Sequence, residues 1–319
     1  MRRRRLPGVL WVLAAGMAAA QSQPVALEQS LSTPFHFVAY ADIRFTPPSN
    51  KDASNPEIRK ILVQAVADTN PAFISINGDI PYRGANPEDW KVFDAETEIW
   101  RERKIPVYPA LGNHEVAGDE KAGLANYFAR FRELKSSRYY SVRAANTEIL
   151  ALDSNMPETS GAQGDWLRHE LDTVPSGVDF VFITLHHPPF TGSADNAPGG
   201  GHSARHAEQA LAELLEGKQK ALHAKIVVFA GHVHNYERSE HGGIMYFVSG
   251  GGGAHPYLIE HAPGDLFTGK GVNYHYLLVE VDKGKLKVTM NRVEIAGGKP
   301  IWTQPDSVTI STGETAKKD

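Results

Sequence analysis

Nine side chains able to donate to a metal ion stand at the ends of apolar, strand-like runs. They are Asp42 in "AYADIR", Asp79 and Tyr82 in "NGDIPY", Asn113 and His114 in "LGNHE", His186 and His187 in "TLHHPP", and His232 and His234 in "GHVH". Each motif alone has an ordinary reading, since a strand-end Asp commonly caps a helix or forms a turn. Five in succession, each following its own strand, point to one shared centre. Two cations roughly 3.5–4 Å apart need a bridging carboxylate, further oxygen and nitrogen ligands, and positions open to a hydroxide and a substrate oxygen. The chain has no cysteine, so thiolate ligation is excluded and the donors favour zinc, iron, manganese or magnesium. No GxSxG nucleophile motif occurs, which argues against a covalent serine intermediate.

Such a set needs strands that end side by side, and the sequence supplies alternating elements. "FHFVAYAD" is apolar and β-prone, and "NPEIRKILVQAVADT" then places Ile58, Ile61, Leu62, Ala65 and Val66 on one helical face with Pro56 in the first turn. The pattern repeats as "AFISINGD", a helix over 87–104, and "IPVYPALGNHE". A helix over 122–134 leads to two extended segments joined at Asn146, then a short helix over 164–172, "DFVFITLHHPPF", a helix over 204–217 and "KIVVFAGHVH". The C-terminal part is strand-like, with a turn at Asp282-Lys283-Gly284. No composition shift separates two cores and no repeat is visible. One α/β domain with ligands at strand-end loops is the simplest account.

The first 20 residues carry four arginines, a short apolar stretch and Ala18 to Ala20, the pattern of a cleaved secretory signal. A secreted or periplasmic location follows, with no membrane span after cleavage. Residues 21–34 read as a polar lead-in, 35–305 as the catalytic domain and 306–319 as a tail. Without the leader, 29 basic residues face 37 acidic ones, a net charge of −8 that gives no general attraction to nucleic acid or anionic lipid.

The order D, GDxxY, GNHE, HxP and GHxH resembles the calcineurin-like metallophosphoesterases, and among them the purple acid phosphatase branch. The motifs run from 42 to 234, most of the mature chain. The resemblance implies an α/β fold, a four-layer α/β/β/α sandwich of two mixed β-sheets with a dinuclear site at the C-terminal strand loops. It implies that Asp79 bridges two metals, that Asp42, Tyr82 and His234 complete the first site, and that Asn113, His186 and His232 form the second. Of the neighbours His186 and His187, alignment on HxP favours His186. His114 is then the group that stabilises the phosphate or protonates the leaving group.

The branch rests on Tyr82. Most of the superfamily opens with Asp-x-His, whereas here the third position is Arg44, which cannot ligate. The tyrosine of "GDIPY" implies Fe(III) in the first site, with Zn, Mn or Fe in the second. Arg44 departs from both patterns; it either reaches the phosphate or pairs with a nearby carboxylate. His202, in "GGGHS", lies where purple acid phosphatases carry histidines facing the substrate. Gly250 to Gly253 would let backbone pass close to the centre. The expected activity is hydrolysis of a small phosphorylated substrate, a phosphomonoester, by a metal-activated hydroxide attacking in line. Phosphodiester hydrolysis and a non-enzymatic role in binding metal or a phosphorylated ligand are the alternatives.

Overall fold

Alternate residues on the central strands face different cores. Along Phe180–Thr184, Phe180 and Phe182 turn to one hydrophobic cluster while Val181 and Ile183 turn to another. This pattern requires a sheet covered on both faces. The computed structural model describes residues 24–195, 201–262 and 264–313, so the leader expected over residues 1–20 lies outside the described residues, as do 314–319.

The chain forms β1 Val25–Gln29, β2 Phe35–Tyr40, α1 Pro56–Asp68, β3 Ile74–Asn77, α2 Pro87–Glu96, α3 Glu98–Glu102, β4 Val107–Ala110, α4 Asn113–Val116 and α5 Glu120–Arg130. It continues with β5 Tyr140–Ala144, β6 Thr147–Ala151, α6 Gly161–Asp172, β7 Phe180–Thr184, α7 His206–Gln219, β8 Lys225–Ala230, β9 Tyr236–His241 and β10 Ile244–Ser249. The last elements are β11 Tyr274–Asp282, β12 Lys285–Ala296, β13 Lys299–Thr303 and β14 Ser307–Ser311.

Two mixed sheets result. One has the order β1-β5-β6-β7-β8-β10-β9; the other runs β13-β12-β11-β2-β3-β4, with β14 also on β12. β2, β3 and β4 are parallel to one another, as are β6, β7, β8 and β10. The sheets pack face to face through aromatic rings: Phe37 of β2 lies 5.2 Å from Phe182 and 6.2 Å from Phe229. Leu167 and Leu171 of α6 and Leu211 and Leu215 of α7 cover the outer face of the first sheet. Ile58, Leu62 and Val66 of α1, with Trp90 and Trp100, join the other core. This is the expected four-layer α/β/β/α arrangement.

Some elements differ from the sequence reading. The lead-in contains β1, which pairs with β5, and the expected tail contains β14. Both are short edge segments whose partners lie far along the chain, so local pattern does not announce them. The helix expected over 87–104 breaks at Thr97, whose Oγ1 donates to the Phe93 carbonyl at 2.6 Å and closes the first segment. Among the described residues no helix is long and apolar enough to cross a membrane.

Candidate metal centre

Because β2, β3, β4, β7 and β8 run parallel within their sheets, their C-terminal ends deliver side chains to one edge of the sandwich. Asp42 follows β2, Asp79 follows β3, Asn113 and His114 open α4 after β4, His186 follows β7, and His232 and His234 follow β8. The chain turns sharply at these ends. Asp42, Asp79 and His232 have φ of 58°, 55° and 70°, a left-handed conformation that costs a non-glycine residue roughly 1–3 kcal/mol. Hydrogen bonds over-determine it: Asp42 N–H donates to Gly78 O at 3.2 Å, and His232 N–H donates to Asp42 Oδ2 at 2.8 Å. The loops after β2 and β3 then continue side by side, with Arg44 N–H on Asp79 O at 3.1 Å and Phe45 N–H on Ile80 O at 2.7 Å.

His186 Nε2 is one focus. Asn113 Oδ1 lies 3.0 Å from it, His232 Nδ1 3.2 Å and Asp79 Oδ1 3.3 Å. The other ring nitrogen of His186 is 2.9 Å from the Asn77 carbonyl, which fixes the proton on Nδ1 and turns the Nε2 lone pair inward. Four lone-pair donors converging on one point fit a cation better than they fit one another. A second focus lies beside Asp42 Oδ1 and His234 Nε2, which are 3.5 Å apart, buried and without a hydrogen-bond partner among the described residues. His234 is oriented by its Nδ1, 3.0 Å from His255 O. Asp79 stands between the two foci, Oδ1 toward the first and Oδ2 toward Arg44, whose Nη2 is 3.3 Å away.

Burial dominates the electrostatics. It raises Asp42 to about 7, with Asp79 adding to the effect while His186 and Arg44 oppose it. Burial alone would raise Asp79 as well, but the charges of His186, His114 and Arg44 hold it well below the usual carboxylate range. Burial lowers His232 and His234, the latter to about 3 with the Arg44 charge as the second cause, so both rings are neutral and able to ligate.

Two loops press so closely on these donors that only glycine fits. A Cβ on Gly112 would stand 2.3 Å from Asp79 Oδ1, and one on Gly250 would stand 2.1 Å from Val233 O and 2.8 Å from Asp42 Oδ2. Of the stretch Gly250 to Gly253, Gly250, Gly252 and Gly253 pass close to Asp42 and its loop, while Gly251 packs against His275 and Asn273.

His114 sits at the mouth. Its Nδ1 is 2.5 Å from Tyr82 O, and its Nε2, 3.7 Å from Asp79 Oδ2, lies on a side chain 19% exposed. His202 stacks on His232 with ring centroids 4.0 Å apart, and its backbone N–H donates to Ser193 Oγ at 3.0 Å. His187 turns to Ser154, whose Oγ is 2.7 Å from its Nδ1, and burial, aided by His186 and Arg205, lowers it to about 2. Tyr82 stands at the rim, its ring 5.5 Å from that of His114 and 5.2 Å from the Arg83 guanidinium. Among the described residues no hydrogen bond joins its hydroxyl to Asp42, Asp79 or His234.

Several supporting residues carry no ligand signature. Glu115 is fully buried and accepts three backbone N–H groups, those of Asp79, Ile80 and Gly112, at 3.1, 2.7 and 2.7 Å. Its position three residues after Gly112 is a capping spacing that could have identified it. The carbonyls of Asn77 and His255 orient His186 and His234, and a backbone acceptor leaves no trace in residue type.

Residues 35–236 match the family model of the calcineurin-like phosphoesterases. The chain is 28% identical over 181 residues to purple acid phosphatase 15 of Arabidopsis thaliana, covering 50% of this chain and 32% of that protein. It is 27% identical over 266 residues to the Fe(3+)-Zn(2+) purple acid phosphatase 12 of the same plant, covering 78% of this chain and 52% of that protein. This chain therefore aligns with a third to about half of the length of these curated relatives. Its fold is similar to that of the purple acid phosphatase PPD1 from yellow lupin (Lupinus luteus), with TM-score 0.68, 18% identity and coverage of 88% of this chain and 54% of that one. With the matched segment spanning all five motifs, and with its similarity directed to purple acid phosphatases, the chain belongs to the calcineurin-like phosphoesterase family.

Proposed function

We propose that this chain is a metal-dependent phosphomonoesterase. The observation that carries the reading is the convergence of Asn113 Oδ1, Asp79 Oδ1 and His232 Nδ1 on His186 Nε2, within 3.0–3.3 Å, beside the unpartnered pair Asp42 Oδ1 and His234 Nε2. Asn113, His186 and His232 would hold one cation and Asp42, His234 and Tyr82 the other, with Asp79 shared between the two sets. The proposed pair is Fe(III) on the Tyr82 side and Zn, Mn or Fe on the other. Bound there, the cations would supply Lewis acidity and lower the pKa of a water.

The chain's own groups do the rest. Asp79 keeps its negative charge beside the Arg44 guanidinium, which suits a shared ligand. His114, tethered through Nδ1 to the Tyr82 carbonyl, presents Nε2 toward the mouth, where a protonated ring can donate to the departing alkoxide. His202, stacked over His232, is placed to contact a phosphate oxygen. The leader-like first 20 residues support export to the periplasm or the medium.

The reading is tested with p-nitrophenyl phosphate and its bis ester, before and after chelation. Hydrolysis of the monoester that chelation abolishes and added metal restores is the expected result. Preference for the bis ester would move the assignment to a phosphodiesterase, and hydrolysis of neither by metal-loaded protein would end it.

A further inference from the structure

We propose that Arg44 competes with a divalent cation at the Asp42–His234 site, so that Zn²⁺ fills the two sites in order: the Asn113, His186 and His232 site first, the Asp42 and His234 site second and more weakly. The inference rests on the two-cation reading above and deepens it.

Arg59 shows how this protein holds an arginine that stays in place. Arg59 is fully buried and grips Glu96 with two hydrogen bonds, Nε to Oε2 and Nη2 to Oε1, both 2.8 Å, and its Nη1 donates to Ser54 Oγ at 2.7 Å. That is the bidentate geometry of a structural ion pair. Arg44 differs at every point. Among the described residues its guanidinium makes one long contact, Nη2 to Asp79 Oδ2 at 3.3 Å, and its buried Nε has no partner. The side chain is 13% exposed, whereas that of Arg59 is fully buried.

The backbone of Arg44, by contrast, is fixed. Its N–H donates to Asp79 O at 3.1 Å, and its carbonyl accepts from Ser54 Oγ at 3.1 Å and from Arg59 Nη1 at 3.2 Å. A pinned main chain with a loosely held cationic side chain is the arrangement of a group that can swing aside without disturbing the loop. What it must leave is the oxygen a second cation would share. Asp79 Oδ1 is already directed to His186 and the N–H of His114, so Oδ2 is the oxygen left for the Asp42–His234 side. A guanidinium at 3.3 Å and a cation at ligand distance from one carboxylate oxygen repel strongly in a buried setting. The other focus is spared, since among the described residues the Arg44 guanidinium makes no hydrogen bond to Asn113, His186 or His232.

The test is calorimetric titration of chelator-treated protein with Zn²⁺, which needs no turnover. Wild type is expected to take one equivalent tightly and a second at least tenfold more weakly. Arg44→Gly and Arg44→Gln should each tighten the second step tenfold or more and leave the first unchanged, while Arg44→Lys keeps the gap. Residue 44 has φ of 53°, which glycine adopts freely, so the Gly variant preserves the loop, and Gln checks it at near-native side-chain length. Two equally tight steps in wild type, or a second step unmoved in both neutral variants, would overturn the proposal while leaving the two-cation site standing. Failure of every protein to bind Zn²⁺ would overturn both.

Discussion

The carboxylate of Glu115 holds the main chain of Asp79: its Oε2 accepts the Asp79 N–H at 3.1 Å while Oε1 accepts the neighbouring Ile80 N–H at 2.7 Å. The same Oε2 accepts the N–H of Gly112 at 2.7 Å, so one buried side chain ties the loop after β3 to the loop after β4. Asp79 is thereby fixed in its left-handed turn and Asn113 is placed opposite it. Glu115→Ala removes two acceptor oxygens at once and strands three buried donors, each worth about 1–3 kcal/mol. The variant should unfold at clearly lower urea concentration than wild type and lose metal on dialysis. Glu115→Gln, which puts an NH₂ against one of those donors, should fall between the two. Metal retention equal to wild type in Glu115→Ala would show that the clamp does not position Asp79.

The proposed ligands divide by site, and metal content should divide with them. His232→Ala is expected to retain about one metal per chain and His234→Ala about one. Asp79→Asn, which weakens the bridge, should lose both and lower kcat/KM by at least about 10³-fold. Elemental analysis after gel filtration reads this directly. Full metal content in His234→Ala would remove that histidine from the first site.

Tyr82 decides the metal on its side. If its phenolate binds Fe(III), iron-loaded protein has a visible charge-transfer band, and Tyr82→Phe abolishes it while keeping the fold, since the ring packing against His114 is retained. An absorption spectrum of the two iron-loaded proteins suffices. A colourless wild type, or a band that survives the substitution, would leave Tyr82 as a rim residue beside His114.

His114 is expected to act on the leaving group rather than on metal. His114→Ala should therefore keep both metals and lower kcat, with a larger loss for an alkyl phosphate than for p-nitrophenyl phosphate, whose leaving group needs little protonation. Equal losses on the two substrates would assign His114 to phosphate binding instead.

Much of this centre was legible because its residues carry type and order. Asp42, Asp79, Asn113, His186, His232 and His234 each end an apolar run, and the parallel strands bring those ends together. Arg44 was legible only as a departure; that its partner is Asp79 depends on two loops zipped side by side after β2 and β3. Glu115, Asn77 and His255 went unassigned because they act through backbone groups or on them. The edge strands β1 and β14 were missed for a related reason: each is five residues long, and its pairing partner lies more than 15 residues away in sequence.

Away from the centre, Glu237 on β9 makes stability depend on pH. It is 3% exposed; its Oε2 accepts from Thr191 Oγ1 and its Oε1 from Gly192 N–H, each at 2.6 Å. Burial outweighs these bonds and the His261 charge, and with Asp265 adding to it pushes the carboxyl from near 4.5 to about 7. Because the folded value is the higher one, the folded chain holds this proton between those limits and the unfolded chain does not. Its contribution is fully present below about pH 4.5 and is lost as pH rises through 7, a change on the order of 3 kcal/mol. Glu237→Gln removes the charge and keeps both contacts, since its amide oxygen accepts from Gly192 and its NH₂ donates to the Thr191 hydroxyl. The variant should match wild type near pH 4.5 and exceed it by up to that amount at pH 8. Urea unfolding at the two pH values measures the difference, and parallel profiles would show that Glu237 is already ionised in the folded chain at the lower pH.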